Sequence, residues 1–387
     1  MIPILLNICA SFLMTTPVPE TFRWDMGYNP KFNNLVELNS RVWSYPEYTN
    51  WAFNGNKLEV SKTDWPFFNC TSPIDDTEQH TLGLHTREGP DIRNFTAVAA
   101  LGDSLTAAFG AEATSIFNLF TDYRDVSWSG GGVKHFTLPN TLKTLYNPNI
   151  KGYAVGSGDA ESYNAQFNDA ITGGTVLTLT QEINILADKI ARDNTLSTDG
   201  WLMVTLMIGA NDLCAEHSPD LYYKDIEQNI ELIHQLFMID GIGNFTGVYI
   251  NLVSPPNVVE ISKLDSFWCN ALHLYECPAA LNNPPKIEKL HNEYQIMLKR
   301  IERHYNNKYN NFYVINQPFL QSTHLPMIDG EPDLSYWSID CFHFSKKAHE
   351  AAALALFNNL FEPIGNKTER WIPHEQIECP KSVYLPV

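Results

Sequence analysis

The chain has 387 residues, enough to bury a sizeable core as one large domain or two smaller ones. Its 44% hydrophobic and 18% charged residues are typical of a folded globular protein and exclude an intrinsically disordered one. The 26 Lys and Arg against 44 Asp and Glu give a net charge of −18, and no basic run occurs, which argues against nucleic-acid binding and against strong electrostatic attraction to anionic membranes.

The first 16 residues form a short apolar stretch that ends in small residues before Pro17. This pattern predicts a secretory signal peptide over residues 1–16, although no Lys or Arg precedes its apolar core, and the alternative is a buried N-terminal segment. Secretion is also favoured by four Asn-x-Thr glycosylation acceptors, of which Asn94 lies so near the first strand that it is expected to be inaccessible. The acceptors are Asn69, Asn94, Asn244 and Asn366. We therefore expect a secreted protein.

Six cysteines follow the predicted signal peptide, and an even number suits a disulfide-bonded, secreted protein. Many pairings are possible, but Cys269 and Cys277 are close enough in sequence to close a small loop, so we favour that pair first. The six are Cys70, Cys214, Cys269, Cys277, Cys341 and Cys379. No later apolar run reaches the roughly 18 residues that a membrane span needs, so we expect no transmembrane segment.

Residues 17–90 are rich in aromatic and turn-forming residues and contain no motif or repeat. They are predicted to form an N-terminal extension, either wrapped on the rest of the chain or folded as a small separate lobe. From about Phe95 onward, apolar runs alternate with helical patterns, which is typical of a parallel sheet covered by helices on both faces.

The four predicted strands are short apolar runs bounded by Gly, Asn or Pro, as expected for strands buried on both faces. They are Thr96–Leu101, Leu202–Ile208, Val248–Val253 and Phe312–Ile315. The predicted helices have apolar residues at helical spacing on one face, which indicates ordinary core packing. They are Gln181–Arg192, Asp225–Met238, Lys286–His304 and Ala348–Leu360.

Ser104 lies in Gly102-Asp103-Ser104, where the first strand ends and small residues begin a predicted helix. Such a turn exposes a serine Oγ at the carboxyl edge of a sheet, next to backbone N–H groups that can stabilise developing negative charge. Glycine permits the sharp turn and the following Asp can cap the helix. A single Gly-Asp-Ser is more often an ordinary turn, so other features must support a nucleophile here.

Three further segments carry polar groups in or next to loops of this predicted sheet. Asn211 follows the second strand, the cluster Gly130–Gly132 exposes backbone N–H groups, and Asp340 and His343 are three residues apart before the last helix. Because loops at the carboxyl ends of parallel strands converge on one rim, these groups can share a site with Ser104. On one turn, an Asp can orient a His so that its Nε2 faces a serine. Each segment alone has an ordinary structural explanation as a turn, a cap or a surface pair.

Taken in this order, the segments resemble those of the GDSL esterases and lipases, also called SGNH hydrolases, and most closely their animal phospholipase B branch. The resemblance covers roughly Cys70 to the C-terminus and implies a three-layer α/β/α sandwich with a central, mostly parallel sheet over residues 91–387. It rests on the matching runs Val98–Thr106, Ser127–Ser129, Thr137–Asn140, Ile208–Cys214, Gln317–Phe319, Asp340–Ser345 and Glu362–Pro363 with Lys367–Thr368.

The resemblance implies Ser104 as the nucleophile, His343 as the general base and Asp340 as its partner. The backbone N–H groups of Ser104 and Gly132 and the side-chain amide of Asn211 would form the oxyanion hole. The family usually has an acidic residue after the donor glycine, where this chain has Val133, so Gly131 is the second choice. Relatives also tend to have a cysteine at the position of His217, which implies that Cys214 pairs elsewhere or stays free.

The implied activity is hydrolysis of fatty-acyl esters of glycerophospholipids and lysophospholipids through an acyl-serine intermediate, which requires no metal or cofactor. The chain also contains no His-Glu-x-x-His, P-loop or dinucleotide-binding glycine motif. Two alternatives remain open: a secreted esterase acting on short-chain or glycan O-acetyl esters, and an inactive homologue that binds lipid.

Overall fold

The computed structural model describes residues 88–132, 136–197, 199–264, 267–371 and 377–387. The predicted signal peptide, residues 1–16, lies outside the described residues. So does the predicted extension 17–90 apart from residues 88–90, which belong to a short strand that pairs with the C-terminal end of the chain.

Within these ranges the chain forms eight strands, and four of them make the central sheet that the sequence predicts. In chain order, β1 to β8 are Glu88–Asp91, Phe95–Gly102, Trp201–Met207, Gly247–Val253, Phe312–Gln317, Met327–Ile328, Glu331–Pro332 and Tyr384–Pro386. The central sheet has the order β2-β3-β4-β5 with every pair parallel. All residues of β3 and β4 are buried, so both faces of the sheet are covered.

The described α-helices, α1 to α10, include long counterparts of the four that the sequence predicts. They are Ser104–Ala107, Ile116–Leu119, Leu138–Leu145, Leu179–Arg192, Ala210–Cys214, Pro219–His234, Phe267–Glu276, Pro278–Asn282, Pro284–Tyr305 and Lys346–Phe361. Helices α4, α6 and α9 pack side by side, while α3 packs against α10. With the sheet between them, these groups form the predicted α/β/α sandwich.

The register of the sheet aligns the carboxyl ends of its strands. Gly102 pairs with Met207, Met207 with Val253, and Val253 with Gln317. On the other edge of β2, isolated parallel bridges join Ala97 to Lys151 and Ala100 to Asn168. The chain therefore leaves β2 on one side and returns as β3 on the other, so the carboxyl end of β2 is a topological switch point, where ligands commonly bind in such sheets.

The predicted Cys269–Cys277 disulfide is wrong. Cys269 is bonded to Cys341 and Cys277 to Cys214, with Cα–Cα distances of 5.3 and 4.9 Å. Cys269 lies in α7 and Cys277 directly follows it. Eight helical residues span about 12 Å, which is beyond the reach of about 7 Å for a disulfide. The resemblance implied that Cys214 either pairs with a distant cysteine or stays free. The structure shows that it is paired, with Cys277.

Candidate active site

Ser104 lies at the sharp turn where β2 gives way to α1. Gly102 has φ +144°, and a Cβ there would lie 2.0 Å from the Met207 carbonyl oxygen, so only glycine fits this close approach. The helix after Ser104 is shorter than the sequence suggests, because Ala108 is left-handed at φ +59° and ends α1 after one turn. Ser104 itself is 3% exposed.

Asp103 satisfies the backbone donors that follow Ser104. Its side chain accepts from the Leu105 N–H at 3.0 Å, and its carbonyl accepts from the N–H groups of Thr106 and Ala107. The Ser104 N–H makes no hydrogen bond to the described part of the chain. That N–H is therefore available to donate to a negatively charged oxygen.

The structure brings Ser104, His343 and Asp340 together in one hydrogen-bonded relay. The Nε2 of His343 lies 2.8 Å from Ser104 Oγ, and its Nδ1 lies 2.6 Å from Asp340 Oδ2. Asp340 Oδ1 also accepts the backbone N–H groups of Phe342 and His343, both at 3.0 Å. A carboxylate can only accept from Nδ1–H, so Nε2 of the neutral imidazole is free to take the Ser104 proton.

Charges around the relay favour an ionised Asp340 and stabilise the imidazolium form of His343. Burial opposes protonation of His343, but the carboxylates of Asp340, Glu276 and Asp103 outweigh it and raise the pKa of His343 above its usual value. Burial likewise opposes ionisation of Asp340, yet His343 and the two backbone N–H donors lower its pKa. Such coupling suits a base that becomes positively charged in the transition state.

Asn211 lies on the short helix α5, after Gly209 at the end of the second central strand. Its side-chain Nδ2 donates to the Gly174 carbonyl at 2.8 Å, which leaves the second amide hydrogen for another acceptor. The next residue, Asp212, accepts the Val176 N–H at 3.2 Å and contacts His217 Nδ1 at 2.8 Å. Helix α5 is thus fastened to the 174–176 loop beside β2.

The cluster Gly130–Gly132 is held against the turn that carries Ser104 by Ser127, whose Oγ donates to the Thr106 carbonyl at 2.6 Å. The Gly131 N–H donates to the Ser127 carbonyl at 2.9 Å and is therefore already used. The parallel bridge between Gly131 and Ala154 directs the Gly132 N–H towards the Ala154 carbonyl, so Gly132 as the oxyanion donor stays a prediction. A Cβ at Gly132 would lie 2.0 Å from the ring of Tyr153, so a side chain there would displace that ring. Val133 lies outside the described residues.

Glu182, a buried carboxyl behind the turn that carries Ser104, was not predicted from the sequence. It accepts the Gly102 N–H at 2.7 Å and the Thr178 hydroxyl at 2.8 Å, and burial raises its pKa well above the usual value. Asp103, also buried, has its pKa raised to about 7 by desolvation. The missed signal was spacing: Glu182 shares a helix face with Leu186 and Ile190, where a charged residue is unexpected.

Comparison with known proteins shows a match to a known family over most of the chain. A family model described as GDSL-like Lipase/Acylhydrolase matches residues 98–356. The chain is 32% identical to human "Phospholipase B1, membrane-associated" over 80% of its length, and 32% identical to the mouse protein of that name over 77%. It spans only 22% and 21% of those relatives, about a fifth of each.

A solved structure of an alpha/beta hydrolase enzyme from the metagenome of Lake Arreo, Spain, is 14% identical to the chain, with a TM-score of 0.34. The match covers 68% of this chain and 93% of that one.

Proposed function

Because the chain belongs to the GDSL-like lipase/acylhydrolase family and is an ester hydrolase, we propose that it releases fatty acids from glycerophospholipids and lysophospholipids through an acyl-Ser104 intermediate. The observation that carries this proposal is the relay of Ser104, His343 and Asp340 at 2.8 and 2.6 Å. It joins a hydroxyl, a base and an orienting carboxylate in the geometry that acyl transfer requires.

In the proposed mechanism, Ser104 Oγ attacks the ester carbonyl carbon while His343 Nε2 accepts the hydroxyl proton. The resulting oxyanion accepts hydrogen bonds from the N–H groups of Ser104 and Gly132 and from the Asn211 amide. Collapse of this intermediate breaks the ester C–O bond, and His343 returns the proton to the departing alcohol oxygen. Water then attacks the acyl-enzyme with the same proton transfers, releasing the carboxylic acid and restoring Ser104.

The substrate class is supported by the similarity to phospholipase B1 and by apolar side chains beside the relay. The ring of Phe109 lies 4.7 Å from the His343 ring, and Phe120 packs edge-on against Phe109 at 6.0 Å. Phe120 is 48% exposed, so an aromatic surface leads from the imidazole to solvent. Such a surface suits an apolar chain better than a hydrated sugar.

We also propose that the protein is secreted. The two disulfides are expected in an oxidising compartment, and the described glycosylation acceptors Asn94, Asn244 and Asn366 are all exposed. The expectation that Asn94 is inaccessible is therefore wrong, because it ends a short surface turn before β2. No helix in the described ranges combines the length and the apolar character of a bilayer-spanning segment.

The test is a two-step assay on the purified full chain. A fluorophosphonate probe should label wild type and not Ser104→Ala. Release of palmitate from lysophosphatidylcholine is then compared with hydrolysis of p-nitrophenyl acetate. Faster turnover of the lysophospholipid supports the proposal, whereas labelling with turnover of the acetate alone indicates a short-chain esterase. An unlabelled wild type indicates a lipid-binding homologue without turnover.

A further inference from the structure

The segment Cys269–Cys277, here called the brace, is joined covalently to two parts of the candidate active site. Cys269 is bonded to Cys341, which lies between Asp340 and His343. Cys277 is bonded to Cys214, the last residue of α5 and three residues after Asn211. One short stretch, nearly all of it helix α7, thus links the loop of the general base to the helix of the oxyanion donor.

A third contact lies between these two disulfides. His273 is one helical turn after Cys269, is fully buried, and its Nε2 lies 2.7 Å from the Cys341 carbonyl oxygen. A carbonyl only accepts, so His273 must carry a hydrogen on Nε2. Burial lowers the pKa of His273, which favours this neutral form. Its Nδ1 has no hydrogen-bond partner among the described residues.

The backbone N–H, the carbonyl and the sulfur of Cys341 each have a bonded partner. Its N–H donates to the Ser338 carbonyl at 2.9 Å, its carbonyl accepts from His273, and its sulfur is bonded to Cys269. Cys341 has φ +60°, a left-handed conformation that a residue with a Cβ rarely adopts. Such a conformation costs free energy for a residue other than glycine, and the three attachments of Cys341 offset that cost.

The conformation of Cys341 sets the geometry of the relay. With the chain turned at this residue, Asp340 Oδ1 accepts two backbone N–H groups while Oδ2 faces Nδ1 of His343. Rotation of the Cys341 peptide would move the carboxylate away from the imidazole. Catalytic groups must be held within about 0.5 Å of the productive geometry, so a small displacement there is costly.

We propose that the brace is a positioning element for ester hydrolysis, which fixes the His343 loop and the Asn211 helix relative to each other through two disulfides and the His273 hydrogen bond. The inference rests on the proposed roles of His343 and Asn211. None of the brace residues touches the reacting atoms, and each acts through Cys341 or Cys214.

The first test changes His273 and leaves both disulfides intact. In the full chain, His273→Leu removes the donor, whereas His273→Gln can place an amide N–H near the position of Nε2. We expect His273→Leu to lower kcat for p-nitrophenyl acetate by about tenfold or more, with KM nearly unchanged. His273→Gln should recover most of kcat. The exposed His304→Leu on α9 is the matched control and should keep wild-type kcat.

Each rate is divided by the number of active sites titrated with a fluorophosphonate, so that loss of folded protein does not count as loss of catalysis. A brace that only stabilises the fold would lower the number of sites and leave kcat per site unchanged. That result, or equal kcat for the Leu and Gln variants, would overturn the proposal.

The second test removes each disulfide as a pair, to avoid free thiols. Cys269→Ser with Cys341→Ser, and Cys214→Ser with Cys277→Ser, should each lower kcat per titrated site. If both double variants keep the wild-type kcat per titrated site, the proposed positioning role of the brace is wrong and the proposed function is unaffected. A wild type that fails to label at Ser104 overturns the proposed function and the brace together. A wild type that labels but ignores lysophospholipid overturns only the proposed substrate.

Discussion

The side-chain amide of Asn211 donates to the carbonyl oxygen of Gly174 at 2.8 Å. One amide hydrogen is thereby committed to the loop beside β2, and the hydrogen bond fixes the direction of the other. Val176 lies two residues after Gly174 in the same loop, and its N–H donates to the Asp212 carboxylate. This hydrogen bond fixes the helix that carries Asn211. The side-chain amide proposed as an oxyanion donor is therefore oriented before substrate arrives, which is what makes such a donor effective.

We predict that Asn211→Ala lowers kcat by about 10²–10³-fold and changes KM little, because the lost hydrogen bond strengthens only as the oxyanion forms. Steady-state kinetics with a soluble aryl ester measures both constants. Asn184→Ala, at an exposed position on α4, is the matched control and should be neutral. An equal rise in KM with unchanged kcat would instead place Asn211 in ground-state binding.

The charges around His343 predict the acid limb of the pH–rate profile. Asp340, Glu276 and Asp103 raise the pKa of His343 despite burial, and the base must be neutral to accept a proton. The value of kcat/KM should therefore rise with pH through a midpoint above 6.5, the ordinary histidine value. Asp340→Asn should move this midpoint down and lower kcat by about 10⁴-fold, because the amide no longer enforces the productive tautomer. An unmoved midpoint would show that another group controls the limb.

The strands and the relay were predictable from sequence because local pattern determines both. Near-continuous apolar runs identify the four central strands, and their carboxyl ends must share one edge in a parallel sheet. Ser104 and Asn211 follow two of those ends directly. Asp340 and His343 are linked by spacing along one turn, and the resemblance to the family then supplied their roles.

The cysteine pairing was not predictable because it depends on tertiary position. Cys269 and Cys277 are neighbours in sequence, but the helix between them holds them too far apart, and each bonds to a residue more than 60 positions away. Glu182 was missed for a related reason. Its place on an apolar helix face indicates burial, but its contact with the Gly102 N–H depends on α4 packing against the end of β2.

The close approach at Gly102 predicts a large stability cost for a side chain there. Gly102→Ala places a Cβ 2.0 Å from the backbone oxygen of Met207, and its φ of +144° is unsuited to alanine. We expect a loss of about 3 kcal/mol or more in the free energy of unfolding, measured by urea denaturation. Gly330→Ala separates the steric clash from the backbone strain, because Gly330 has φ +88° with open space around it. That control should cost about 1 kcal/mol.

The buried carboxyl of Glu182 predicts a pH-dependent stability. Burial raises its pKa in the folded protein, so the folded state holds a proton that the unfolded chain releases above about pH 4.5. Its contribution to stability is therefore complete below the unfolded pKa and is lost as pH rises towards the folded pKa. Glu182→Gln retains an oxygen for the Gly102 N–H and cannot ionise.

We therefore expect the unfolding free energy of Glu182→Gln, relative to wild type, to increase from pH 4.5 to pH 8 in urea denaturation. Glu182→Leu should be less stable than Glu182→Gln at every pH by about 1–3 kcal/mol, because it leaves the Gly102 N–H buried without an acceptor. A constant difference between Glu182→Gln and wild type across this range would show that Glu182 ionises as readily in the folded protein as in the unfolded chain.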